Sequence, residues 1–189
     1  DIFDTGDLMT DNSTRSDMRT LLQEPRFDFL SLENKRFIKL YDDEMSRLGY
    51  NFGGQIGSGY CWGRFMAIYR KTGVKSDKVY TRIYMRANGE VVVRMFLVNV
   101  DQHRAYIENA PENIKHVFTG PHGDCNHCPD KASPCQFCKI YTVDGRLIEK
   151  CSGVVFEIHQ PQTWKITDFS SILTEFYPRK RAVSAARGN

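Results

Sequence analysis

No stretch of this 189-residue chain stays apolar for long enough to cross a bilayer. A spanning helix needs about 20 apolar residues in succession. The most apolar run, residues 91–100, is broken by Arg94 and Asn99. The start shows no basic segment leading into an apolar one, so nothing there reads as a secretion signal. The first residue is Asp1, which leaves the matter of a removed leader open. An excess of one charge is missing too. Lys and Arg number 26 against 23 Asp and Glu, a formal net charge of +3. That is too little to recruit nucleic acid through the field of the whole chain. Common catalytic signatures are also lacking: the sequence holds neither a Gly-x-Ser-x-Gly elbow nor a His-Glu-x-x-His pair, and no internal repeat.

What is present suits one domain with a core of its own, since 41% of residues are hydrophobic and 26% charged. Residues 1–28 hold seven acids against three arginines and are expected to form an acidic arm outside the core. The domain is expected over residues 29–178. Residues 179–189 carry Arg179, Lys180, Arg181 and Arg187 without an acid, a basic tail.

Within the domain, Ser31 can cap a helix in which Phe37, Ile38, Tyr41, Met45 and Leu48 share one stripe, and Gly49 closes it. Closely spaced glycines from Gly53 to Gly63 are followed by an expected strand over residues 60–70. No Lys-Ser/Thr end follows those glycines, so they make a poor phosphate loop. Cys61 is expected as a small core residue of that strand.

Asn88-Gly89 marks a hairpin, and a two-residue turn there pairs Arg86 with Val91, Tyr84 with Val93 and Arg82 with Met95. On that register Arg94 is the one charge on the core face. Tyr80, Arg82, Tyr84 and Arg86 share the other face with Val91, Val93, Met95 and Leu97. Asp101 is expected to cap a helix through Ala110, restarted by Pro111. A second hairpin turns at Asp144-Gly145, a strand follows to Ile158, and a helix over residues 167–177 stops at Pro178. The fold class expected is α+β: a single two-layer domain with a mostly antiparallel sheet, helices on one face and a cysteine-rich metal loop.

That loop is the strongest motif. Five of the six cysteines, Cys125, Cys128, Cys135, Cys138 and Cys151, fall within 27 positions as two Cys-x-x-Cys units and a fifth residue. Such units aim paired thiolates at one soft ion. The Asp144-Gly145 turn, counted outward, brings Cys138 opposite Cys151, on one face and about 4.5–5.5 Å apart. One structural zinc held by four of the five is therefore expected, with Cys135 or Cys138 to spare. A Cys138–Cys151 disulfide, a Cys125–Cys128 redox pair and an iron–sulfur cluster fit the pattern less well. His122 and His127 are neighbouring nitrogen donors. Clustered rather than spread cysteines point to a reducing, cytoplasmic setting.

The stretch Cys125-Asn126-His127-Cys128, Cys135, Tyr141-Thr142-Val143-Asp144-Gly145, Glu149-Lys150-Cys151 and Val155-Phe156-Glu157 resembles a family of small bacterial cysteine-motif domains with no assigned function. The resemblance spans about residues 30–178 and implies structural cysteines and a bacterial source, with no activity to transfer.

For function, the Tyr80, Arg82, Tyr84 and Arg86 face is the expected ligand-binding surface. Arginine reads phosphate and carboxylate, and tyrosine offers flat contact area. The expected partner is a small anionic molecule or a protein, with no membrane. A single-stranded nucleic acid is the alternative, because aromatics beside arginines suit stacked bases. A thiol or metal-dependent enzyme is a third reading. Glu157 and His159 share a strand face as a conceivable acid–base pair, and a plain ion pair fits them better. The oligomeric state stays open.

Overall fold

In the computed structural model, residues 17–76, 78–120, 138–150 and 155–178 are described. Ser31 caps the longest helix as its hydroxyl predicts, accepting the Asn34 N–H at 3.1 Å. Ordered along the chain, the helices are α1 (Met18–Leu21), α2 (Leu32–Arg47), α3 (Arg104–Asn109), α4 (Glu112–Thr119) and α5 (Ile166–Phe176). The strands are β1 (Tyr50–Asn51), β2 (Gly57–Ser58), β3 (Phe65–Lys71), β4 (Tyr80–Met85), β5 (Val91–Phe96), β6 (Lys139–Val143), β7 (Arg146–Lys150) and β8 (Val155–His159). The principal sheet is antiparallel in the order β1-β3-β4-β5-β8, with β2 also paired to β3, and β6-β7 form a separate hairpin. The chain is α+β.

Thr81, Ile83, Met85, Val91, Val93, Met95 and Phe156 point from the sheet into the core. Helices meet them there. Tyr41 of α2 hydrogen-bonds Thr81 at 2.8 Å, Phe169 of α5 lies edge-on to Phe37 and Tyr41, and Phe118 of α4 packs 5.3 Å from Phe156. The hairpin joins through Tyr141, whose hydroxyl donates to the Phe118 carbonyl at 2.5 Å, and through Lys150, whose ammonium donates to the Val117 carbonyl.

Four expectations are corrected by this architecture. The acidic arm does not run to residue 28: Met18, Leu22 and Phe27 are fully buried, and Phe27 packs 4.9 Å from Phe65. Burying side chains of that size yields about 1.5–3 kcal/mol each, which outweighs the local acidity. Second, residues 60–62 form a 3-10 turn rather than the start of β3, and Cys61 is exposed rather than in the core. Third, Asp101 lies inside a 3-10 turn that leads into α3, not at a helix cap.

The fourth correction moves the functional face. Met85 pairs with Val91, Ile83 with Val93 and Arg82 with Arg94, one residue away from the expected register. Among the turn residues only Gly89 has positive φ, at 86°, and its N–H bonds the Arg86 carbonyl while Arg86 N–H bonds Glu90. The connection is thus a three-residue loop of type I turn plus bulge, not the two-residue turn read from Asn88-Gly89. A one-residue slip exchanges the faces of a whole strand. Val91, Val93, Met95 and Leu97 therefore enter the core, and Val92, Arg94 and Phe96 join the tyrosines and arginines.

Candidate functional site

Strand alternation puts Tyr80, Arg82 and Tyr84 of β4 on the sheet face away from α2 and α5, and the corrected register sets Phe96, Arg94 and Val92 opposite them. Ile68 and Met66 of β3 and Glu157 and His159 of β8 extend the same face. The result is an alternation of guanidinium groups and rings across three strands. Arg70 lies 5.6 Å from the Tyr80 ring centroid, and Arg82 lies 5.1 Å from both Tyr80 and Phe96, whose rings meet at 4.0 Å, tilted by 34°. Arg82 donates to the Tyr84 hydroxyl at 3.0 Å. Arg94 sits 5.1 Å from Tyr84 and 3.6 Å from Trp62.

Trp62 reaches this position because the 3-10 turn folds over the end of β4. Gly63 makes the approach feasible: a Cβ there would stand 3.1 Å from the Met85 carbonyl and 3.4 Å from Tyr84. Tyr60, at the tip of the turn, is 80% exposed and holds a left-handed backbone with φ 52°, a conformation unfavourable for an aromatic residue.

Electrostatics of the face centre on a directly opposed pair of arginines. Like charges in that relation repel. Glu157, whose side chain is 5% exposed, relieves Arg94 through an ion pair. Glu157 in turn faces His159 Nε2 at 3.1 Å, His159 Nδ1 faces Glu90 at 3.2 Å, and Glu90 accepts from Arg86 at 2.9 Å. Burial lowers the pKa of the Arg94 guanidinium. Two donors are left over: the buried Nε groups of Arg82 and Arg94 have no hydrogen-bond partner among the described residues. A buried charged donor without an acceptor is costly, by more than the roughly 1–3 kcal/mol of a neutral one.

Of the four residues expected to bind ligand, Tyr80, Arg82 and Arg86 are half-buried on this face. Tyr84 is 1% exposed and serves instead as the backing that holds Arg82. Arg86 is tied to Glu90 at the margin. The expected register sets Arg94 on the core face, and Phe96, Trp62 and Arg70 come to this face only in the fold. A lone arginine inside the apolar run of β5 was the available signal, because a charge on a core face would have needed a partner there.

On the cysteines, Cys125, Cys128, Cys135 and Cys151 lie outside the described residues, as do His122 and His127. Cys138 is half-buried immediately before β6. The hairpin pairs Val143 with Arg146, Tyr141 with Ile148 and Lys139 with Lys150, in the expected register, with Asp144 and Gly145 both at positive φ. Among the described residues no group of three or more His, Cys, Asp or Glu side chains is placed to hold a metal ion. Nor is any helix among them long and apolar enough to cross a membrane.

No family model matches the chain, and no curated protein or solved structure is significantly similar to it.

Proposed function

We propose that the protein is a binding or sensing module whose sheet face takes an anionic group of a small molecule or a partner protein. One observation carries the reading: Arg82 and Arg94 oppose each other across two strands, each with a buried Nε donor lacking an acceptor among the described residues. An oxyanion set between them would supply the acceptors and cancel the mutual repulsion. Charge-assisted bonds to a phosphate or carboxylate are short and about twice as strong as neutral ones. Glu157 and Trp62 fix Arg94 from the side and from above, so little side-chain freedom remains to be lost on binding.

A structural zinc held by four of Cys125, Cys128, Cys135, Cys138 and Cys151 completes the proposal, as the metal loop of a two-layer domain. It is supported by thiolate spacing and by the hairpin, whose last described pair is Lys139 and Lys150, one position inside Cys138 and Cys151. Four thiolates leave no coordination position for water, which makes the metal a staple rather than a catalyst.

Calorimetric titration with inorganic phosphate and pyrophosphate tests the face. Loss of one charge-assisted contact, worth about 1.5–3 kcal/mol, should weaken binding about tenfold or more in Arg82→Gln. Equal affinity in parent and variant, or no binding by the parent, would remove the proposal. A single-stranded nucleic acid is the second reading, favoured by the Tyr80 and Phe96 rings beside Arg82. It requires affinity for an oligonucleotide that falls steeply with salt.

A further inference from the structure

The outer edge of β3 is covered unevenly. β1 pairs with it at Arg70 and Lys71, β2 pairs with it at Phe65 and Met66, and residues 52–56 stand off its middle. Gly53 and Gly54, with φ 76° and 75°, let this loop turn outward, and the Asn51 side chain holds the bend by accepting the Gly53 N–H at 2.6 Å. Between loop and strand lies a cavity of about 680 Å³. That is within the range of roughly 300–1,000 Å³ typical of small-molecule sites.

Its lining has a definite chemistry. Phe52, Ile56, Met66 and Ile68 give it an apolar wall, and Arg26, Arg70 and Lys71 bring three cations with no carboxylate among the lining residues. The cations are not equivalent. Arg26 is paired with Glu24 at 2.6 Å, and Lys71 donates to the Tyr177 carbonyl. Arg70 is exposed, and among the described residues its side chain makes no hydrogen bond or ion pair, only the contact with the Tyr80 ring. A guanidinium with no ion-pair partner among the described residues, exposed on the lining of an apolar cavity, selects a ligand with two ends. We propose that this cavity is a second binding site, adjoining the Arg82–Arg94 face through Arg70, for an aromatic anion. The ring packs against Phe52, Ile56, Met66 and Ile68. Its phosphate, sulfonate or carboxylate lies on Arg70.

Such a ligand has two natural sources, a nucleotide or an aryl carboxylate, and the test separates them. The full chain is titrated with anilinonaphthalene sulfonate, an aryl sulfonate whose fluorescence rises in apolar sites. It is then challenged with adenosine monophosphate, indole-3-acetate and their neutral counterparts adenosine and indole. The expected result is saturable one-to-one dye binding, displaced by one of the two anions and not by the neutral compounds. Arg70→Gln should weaken it about tenfold or more through the lost charge-assisted contact. Gln55→Glu, an isosteric change at an exposed lining residue, should weaken it severalfold. Circular dichroism checks that both variants remain folded. Absence of saturable binding, indifference to both substitutions, or displacement by neutral compounds as readily as by anions would overturn the site. Dye binding lost in Arg82→Gln but kept in Arg70→Gln would place the dye on the arginine pair, which overturns the cavity site and leaves the anion-binding face standing.

Discussion

At the scale of single residues, Arg94 and Glu157 decide most. Both are about 5% exposed, so each charge depends on the other. Removing one partner of a buried pair costs about 3–5 kcal/mol, because the survivor is stranded. Glu157→Gln should therefore lower stability by that amount in urea unfolding. The double change Arg94→Met with Glu157→Leu should cost much less. Tyr50 offers the pH test. Its hydroxyl is buried without a partner among the described residues, and burial pushes its pKa well above the ordinary tyrosine value. Above about pH 10 the unfolded chain releases this proton while the folded chain keeps it. The folded state then binds more protons, so stability falls as pH rises through that range. Tyr50→Phe should change stability little at pH 7 and make the alkaline decline shallower, as thermal melts at pH 7 and pH 10.5 would show.

The elements differ in how far the sequence discloses them. α2 and the β6-β7 hairpin are legible because local rules and tertiary structure agree: Ser31 caps, Gly49 turns at φ 85°, and Asp144-Gly145 carries two positive φ values. The β4-β5 hairpin misleads because Asn88-Gly89 suits two turn types that differ by one residue, and that difference decides which face Arg94 joins. Tertiary contact settles it. Asn34 of α2 donates to the Gly89 carbonyl at 2.7 Å, and a Cβ at Gly89 would stand 3.0 Å from the Phe29 carbonyl. Neither contact is local enough to be read from the hairpin itself. Gly89→Ala should accordingly cost more than the ~1 kcal/mol of an ordinary glycine substitution, measured by the denaturation midpoint. The turn at residues 60–62 is hidden from the sequence for a similar reason, since it lays Trp62 over Arg94 from outside the strand.

At the scale of the whole molecule, the principal sheet of the described residues turns one apolar face toward side chains of α2, α4 and α5 and one cationic, aromatic face away from α2 and α5. If the cysteine segment holds its staple, purified protein contains one zinc per chain under reducing conditions. Cys125→Ser and Cys151→Ser should then lose both metal and fold, since metal binding and folding are coupled. Cys61→Ser, at an exposed position, should stay within about 0.5 kcal/mol of the parent. Protein free of zinc, or equal mild effects at all three positions, would refute the staple. Anion binding at the Arg82–Arg94 face is reported directly by the guanidinium Nε–H resonances of these two residues. Titrating pyrophosphate into ¹⁵N-labelled protein should shift both signals together and saturably, with Arg82→Gln abolishing the response at Arg94. Nε–H signals that stay fixed as pyrophosphate is raised into the millimolar range would show that this face does not bind an anion.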